Sequence, residues 1–194
     1  MNPGTGKLQR LAGRVAILLR EEFGQLRPRQ HAYSMISRAI PLDVGAELRA
    51  ALLRSRGIEV GEGTLVYGTP ELSGGEGRTF HKLTIGRHCR IGVDCAFEVG
   101  DLIAIGDRVV IDHQVMIITT THELGPREHR AGPLVRHPVR IEAGAWIGAR
   151  SMILPGVTVG AGAIVDPGSA VNRDVAPHTR VRGTPARQVE ELAH

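Results

Sequence analysis

Aromatic residues make up only 3% of this 194-residue chain, and there are just two cysteines, two lysines and no run of eighteen apolar residues. Scarce aromatics leave few platforms on which bases could stack, and no helix-turn-helix, finger or RNP pattern appears, so nucleic-acid recognition is not expected. Cys89 and Cys95 are too few for a disulfide framework and suit small buried hydrophobes in a reducing compartment. Without a long apolar run, or an uninterrupted hydrophobic segment in the first thirty residues, neither a membrane span nor a standard signal peptide is expected. The expected location is the cytoplasm. Net charge of +4 and a pI near 9.7 by themselves favour anionic partners such as phosphates, nucleic acid or an acidic membrane face.

What the chain does have is a period of six. From Ile141 to Ala176 it reads IEAGAW, IGARSM, ILPGVT, VGAGAI, VDPGSA and VNRDVA. Ile141, Ile147, Ile153, Val159, Val165 and Val171 hold the first position, and the fifth holds nothing larger than valine. The same register runs through Ile85, Ile91 and Phe97, then Ile105, Ile111 and Ile117 after a slip of two residues, with a fainter copy at Val60, Val66 and Leu72. A fixed short repeat marks a solenoid whose coils stack on a shared core. One bulky and one small inward residue per hexapeptide suit a narrow prism, with short strands as sides and tight turns, served by glycines such as Gly144, Gly148 and Gly162, as corners. Residues 73 to 84 and 120 to 138 break the period and read as loops ejected from the stack.

Ahead of the solenoid, residues 8 to 24 carry Leu8, Leu11, Val15, Leu18 and Leu19 on one helical face. Further helices are predicted near 31 to 40 and from about 44 to 56, with Asp43 as N-cap and Gly57 as stop. These helices serve either as a cap on the first coil or as a basic amphipathic anchor for peripheral membrane association. The predicted organisation is an N-terminal helical segment over 1–57, the repeat domain over 58–182 and a tail over 183–194.

Nine histidines invite a search for metal, but His113, His122, His129 and His137 are spaced nine, seven and eight apart, without the close cysteine and histidine pairs that zinc favours. No metal is expected. His122 falls where the hexapeptides stop and the long loop begins, half sheltered by the coil and open to a ligand. There a general base near neutral pKa is useful.

The stretch around His122 resembles the hexapeptide-repeat acyltransferases of the galactoside and maltose O-acetyltransferase type. The resemblance is carried by Thr121-His122, Leu124, Arg130 and Gly132, the return HPVRI at 137 to 141, a W-I-G step at 146 to 148, L-P-G-V-T at 154 to 158, and Gly183, Thr184, Pro185, Ala186 and Arg187. It covers roughly residues 58 to 190. It implies an all-β solenoid, a left-handed parallel β-helix, assembled as a homotrimer, with acetyl-CoA as co-substrate. His122 would then be the general base, Asp94 and Arg130 would lie towards the acceptor, and coenzyme A would contact Trp146, Ala149, Pro167, Asn172, Arg173 and Arg187.

Two features depart from that pattern. VDPGSAV puts Asp166-Pro167 where the family has a glycine-containing corner, and proline donates no backbone hydrogen bond. The aromatic and aspartate motif that usually precedes the first coil is missing. Instead, residues 48 to 61 look like the lead-in of acetyltransferases encoded with polysaccharide-biosynthesis enzymes. The expected reaction is O-acetylation of a sugar or glycan hydroxyl. N-acetylation of an amino sugar, inactivation of a hydroxylated antibiotic, and a non-catalytic scaffold are the alternatives.

Overall fold

The computed structural model describes residues 35–37, 39–42, 44–74 and 79–193. The chain divides into two units, Met1–Ile36 and Ser37–His194. The helix read over 8–24 lies outside the described residues. Residues 35–37 and 39 are helical, and α1 spans Ala46–Ser55. Gly45, at φ 75° and with no side-chain cap, precedes α1, while Asp43 lies outside the described residues. Gly57, at φ 81°, ends the helix region and donates its N–H to the Arg54 carbonyl. α1 packs on the first two strands of the solenoid through Ala50 and Leu53, both fully buried. Its Arg49 is buried as well and donates to the carbonyls of Ile40, Pro41 and Val44, which ties down the approach to the helix.

The period of six becomes a three-sided prism of parallel strands. Face one stacks β1 (Glu59–Val60), β4 (Leu83–Ile85), β7 (Ile103–Ile105), β12 (Val139–Ile141) and β15 (Thr158–Val159). Face two stacks β2 (Leu65–Val66), β5 (Arg90–Ile91), β8 (Val110–Ile111), β13 (Trp146–Ile147), β16 (Ile164–Val165) and β18 (Thr179–Gly183). Face three stacks β3 (Glu71–Ser73), β6 (Ala96–Glu98), β9 (Met116–Ile118), β14 (Met152–Ile153) and β17 (Ala170–Val171). First positions pair with first positions from coil to coil: Ile141 with Val159, Ile147 with Val165, Ile153 with Val171. The faint copy at Val60, Val66 and Leu72 is a complete first coil, paired with Ile85, Ile91 and Phe97.

Both inward slots are filled as the pattern requires. Ile91, Phe97, Ile117, Ile147 and Ile153 are fully buried, and so are the small partners Cys89, Cys95, Ala145 and Ala163. The thiols satisfy themselves inside: Cys89 Sγ donates to the Gly106 carbonyl at 3.0 Å and Cys95 Sγ to that of Asp112 at 3.2 Å. Burial pushes the Cys95 thiol up to about 11, so it stays protonated and unreactive.

Corner glycines do two different jobs. Gly144 sits at a fourth position with φ 73°, where its conformation is the one L-residues avoid. Gly148 sits at a second position, where a Cβ would come within 2.6 Å of the Pro167 nitrogen in the next coil. His88, Asp94, Arg108, Gln114 and Arg150 hold the left-handed conformation at fourth positions without being glycine, and so does His178, which is fourth counted from the Val175 that pairs with Val159.

The segment from 120 to 138 leaves the stack as an antiparallel hairpin of β10 (Thr120–Leu124) and β11 (Ala131–Arg136), and the prism resumes where Ile105 pairs with Ile141. At the far end β18 turns back through Thr184-Pro185 into β19 (Ala186–Glu191), which closes face two as an antiparallel edge.

Candidate active site

The β10–β11 hairpin carries His122 at the corner between faces three and one. A β-bulge, with Gly132 and Pro133 of β11 opposite the single Glu123 of β10, separates the His122–Leu134 pair from the Leu124–Ala131 pair, and such bulges re-aim neighbouring side chains. A Cβ on Gly132 would lie 2.8 Å from the Glu123 carbonyl oxygen, so a bare backbone is what the bulge accommodates there. The exposed His122 ring turns back so that its Nδ1 lies 2.7 Å from the Gly132 carbonyl oxygen. A carbonyl oxygen only accepts, so Nδ1 carries the proton and Nε2 of the neutral ring keeps its lone pair.

His113 has the opposite arrangement. Val93 N–H donates to its Nδ1 at 2.9 Å, so the proton of the neutral ring belongs on Nε2 and no ring nitrogen is left as an acceptor. Of these two histidines, only His122 keeps a ring nitrogen as an acceptor in the neutral form. Among the described residues no group of three or more His, Cys, Asp or Glu is arranged to hold a metal ion.

The root of the hairpin is held by contacts that residue spacing did not reveal. Thr119, fully buried, and Thr120 both donate their backbone N–H to Oε2 of Glu98 at 2.9 Å. The Thr119 hydroxyl donates to the Glu98 carbonyl oxygen at 2.7 Å and accepts the Asp101 N–H at 2.9 Å. On the returning leg, His137 N–H donates to the Thr119 carbonyl at 2.8 Å. Each N–H bond to the carboxylate is charge-assisted, a class worth about 1.5–3 kcal/mol. The only trace of this in sequence is the Thr119-Thr120-Thr121 run.

The other residues singled out by sequence fall into separate places. Asp94 is exposed at the corner between faces two and three, at φ 56°. Arg130 is exposed near the hairpin tip, its Nη1 3.5 Å from the Gly125 carbonyl oxygen. Ala149 and Pro167 stack on the same two–three corner in successive coils, joined through the Gly168 N–H to Ala149 carbonyl bond of 2.8 Å. Trp146 points outward from face two, 45% exposed, with its indole N–H donated to Asp112 Oδ2 at 2.9 Å. Arg187 is exposed on β19, just past a turn that reaches this corner through Gly183 N–H to Ser169 Oγ at 3.1 Å. Asn172 and Arg173, also exposed, sit with the His122 hairpin at the three–one corner. Within one chain, face three separates the two groups.

Asp166-Pro167, the departure from the family corner, has a structural partner. The Asp166 carboxylate is buried and accepts from Nε of Arg180 at 2.7 Å and from Nε of Arg182. Burial works against the charge, but the hydrogen bonds and charges of Arg180 and Arg182 outweigh it and hold the carboxyl below its ordinary range.

Residues 138–173 match the family described as bacterial transferase hexapeptide (six repeats), and residues 82–113 match the hexapeptide repeat of succinyl-transferase. A hexapeptide-repeat containing acetyltransferase from Vibrio cholerae is 30% identical, with a TM-score of 0.74 over 89% of this chain and 94% of that one. That acetyltransferase has also been solved with acetyl-CoA, and the complex superposes with a TM-score of 0.72. A maltose O-acetyltransferase from Clostridium difficile is 25% identical, with a TM-score of 0.74 over 90% of both chains. Nodulation protein L of Rhizobium meliloti is 41% identical over 105 residues, which are 54% of this chain and 57% of that protein. The chain spans about half the length of the first curated relatives it matches, 48% and 54%.

Proposed function

This chain belongs to the hexapeptide-repeat acetyltransferases, and we propose that it transfers the acetyl group of acetyl-CoA to a hydroxyl of a sugar or glycan, with His122 as general base. The observation that carries the reading is the His122–Gly132 bond of 2.7 Å, which leaves Nε2 free to accept a proton. The acceptor O–H gives its proton to Nε2 while the oxygen forms a bond to the thioester carbonyl carbon. The C–S bond then breaks, and the departing thiolate takes the proton back from His122. Between these steps the ring is cationic, and its Nδ1–H bond to the Gly132 carbonyl strengthens with that charge. Proton transfer of this kind contributes about 10²–10⁴-fold, and alignment of acceptor and thioester supplies much of the rest.

The side chains around the two corners suit the chemistry of coenzyme A. Trp146 offers an anchored indole face, Ala149 and Pro167 a small-residue corner, Asn172 an amide, and Arg173 and Arg187 exposed guanidinium groups for phosphate. Asp94 and Arg130 would meet the acceptor. Because these residues divide between two corners of one prism, a site that uses all of them needs a second copy set corner to corner against the first. That division supports the homotrimer, and the family resemblance supports the left-handed winding. The likeness to the maltose O-acetyltransferase favours a carbohydrate acceptor. The lead-in over 48 to 61 favours a nucleotide-linked, lipid-linked or polymeric glycan over a free sugar.

The test is thiol release from acetyl-CoA by the purified full chain with a panel of sugars, nucleotide sugars, polymeric glycans, amino sugars and hydroxylated antibiotics. Turnover on a carbohydrate hydroxyl that vanishes in His122→Ala supports the reading. Turnover only on amino sugars or antibiotics, or on none of the panel, overturns it.

A further inference from the structure

We propose that Glu98 is a positioning residue for acetyl transfer: it sets the angle at which the His122 hairpin leaves the prism, acting through Thr119 and Thr120. The inference rests on the reading of His122 as the base. Glu98 belongs to β6, one coil away from the hairpin, and pairs with Ile118 at the end of β9. Its Oε2 accepts the two consecutive N–H groups of Thr119 and Thr120, each at 2.9 Å, at the point where the chain turns out of face three. The Thr119 carbonyl receives His137 N–H at 2.8 Å, so both legs of the hairpin converge on a residue that Glu98 grips. The grip has room because neighbouring corners are bare: a Cβ on Gly100 would lie 2.8 Å from Glu98 Oε1.

His122 follows Thr120 by two residues, so a shift at the root is carried directly to the imidazole. A misplacement of about 1 Å at a reacting group can cost on the order of 10²-fold in rate. With two amides on Oε2, Glu98 is spent on geometry rather than on proton transfer.

Full-length Glu98→Ala and Glu98→Gln variants test this. Hydrogen exchange of segment 119–137 should be at least tenfold faster in Glu98→Ala, with the coils around Ile147 and Val165 exchanging as in the parent chain. Thiol release from acetyl-CoA, with the acceptor that supports the fastest turnover, should lose at least tenfold in kcat while KM for acetyl-CoA stays within twofold. Glu98→Gln, whose amide oxygen still accepts both N–H groups, should return to within about threefold of the parent rate. On a His122→Ala background Glu98→Ala should cause no further loss, because residues acting as one unit are not additive. If Glu98→Ala does not fold, Glu98→Met, which keeps length without the acceptor, takes its place.

An unchanged kcat, unchanged exchange at the hairpin, a Gln variant as poor as Ala, or an additive loss on the His122→Ala background would each overturn the proposal. Full activity in His122→Ala would instead remove the base assignment. The exchange measurement would then still decide whether Glu98 holds the hairpin.

Discussion

Arg182 and Arg187 are register partners across the closing hairpin, two cationic residues directly opposite one another. Like charges in that position ordinarily destabilise a strand pair. Asp166 takes the Nε of Arg182, and Arg187 turns its Nη1 onto the Ala186 carbonyl at 2.7 Å. The unusual Asp166-Pro167 corner thus offsets a concentration of positive charge at the end of the prism.

The Asp166 clamp predicts a specific acid sensitivity. Its carboxyl is more acidic in the folded chain than in the unfolded one. Its stabilisation is therefore complete above the unfolded value of about 3.9 and is lost as pH falls through the lower folded value. Urea unfolding from pH 6 to pH 3 should show the parent chain losing stability more steeply than Asp166→Asn. At pH 6 the variant should be less stable by about 1–3 kcal/mol, as expected for lost hydrogen bonds between charged groups. Parallel pH profiles would contradict the clamp.

Arg173 is exposed at the three–one corner and Arg187 on β19. Replacing both by alanine should raise KM for acetyl-CoA at least tenfold, a loss of about 1.4 kcal/mol, with a smaller change for the acceptor. The difference should shrink when dephospho-CoA is the competing ligand. Calorimetry giving equal CoA affinity for variant and parent would show that the arginines are surface charge only.

His122→Ala should lower kcat at least a hundredfold while fold and acetyl-CoA affinity stay nearly intact, because the base acts on the acceptor proton. Near-parental turnover in a folded variant would sink the mechanism.

Light scattering at micromolar concentration should return three times the 20.9 kDa mass of the chain. Outward Met116, 40% exposed, and Met152 give face three an apolar row that a neighbouring copy would cover. A monomer at that concentration would contradict the homotrimer.

By itself the sequence determined which residues point inward. Ile85, Ile91, Phe97 and their successors land in the core because a period of six repeats one backbone geometry, and burial follows from that geometry wherever it recurs. The same periodicity located the break at 120 to 138 and, with it, His122. Tertiary structure decided what His122 can do. Its tautomer comes from Gly132, ten residues away across a bulged hairpin, and its support comes from Glu98, more than twenty residues back. Likewise, the separation of Asp94, Trp146 and Pro167 from Asn172 and Arg173 follows from which corner each hexapeptide occupies. Periodicity is tolerant of loop length, but side-chain hydrogen bonds depend on fractions of an ångström between coils, and those distances exist only once the coils have stacked.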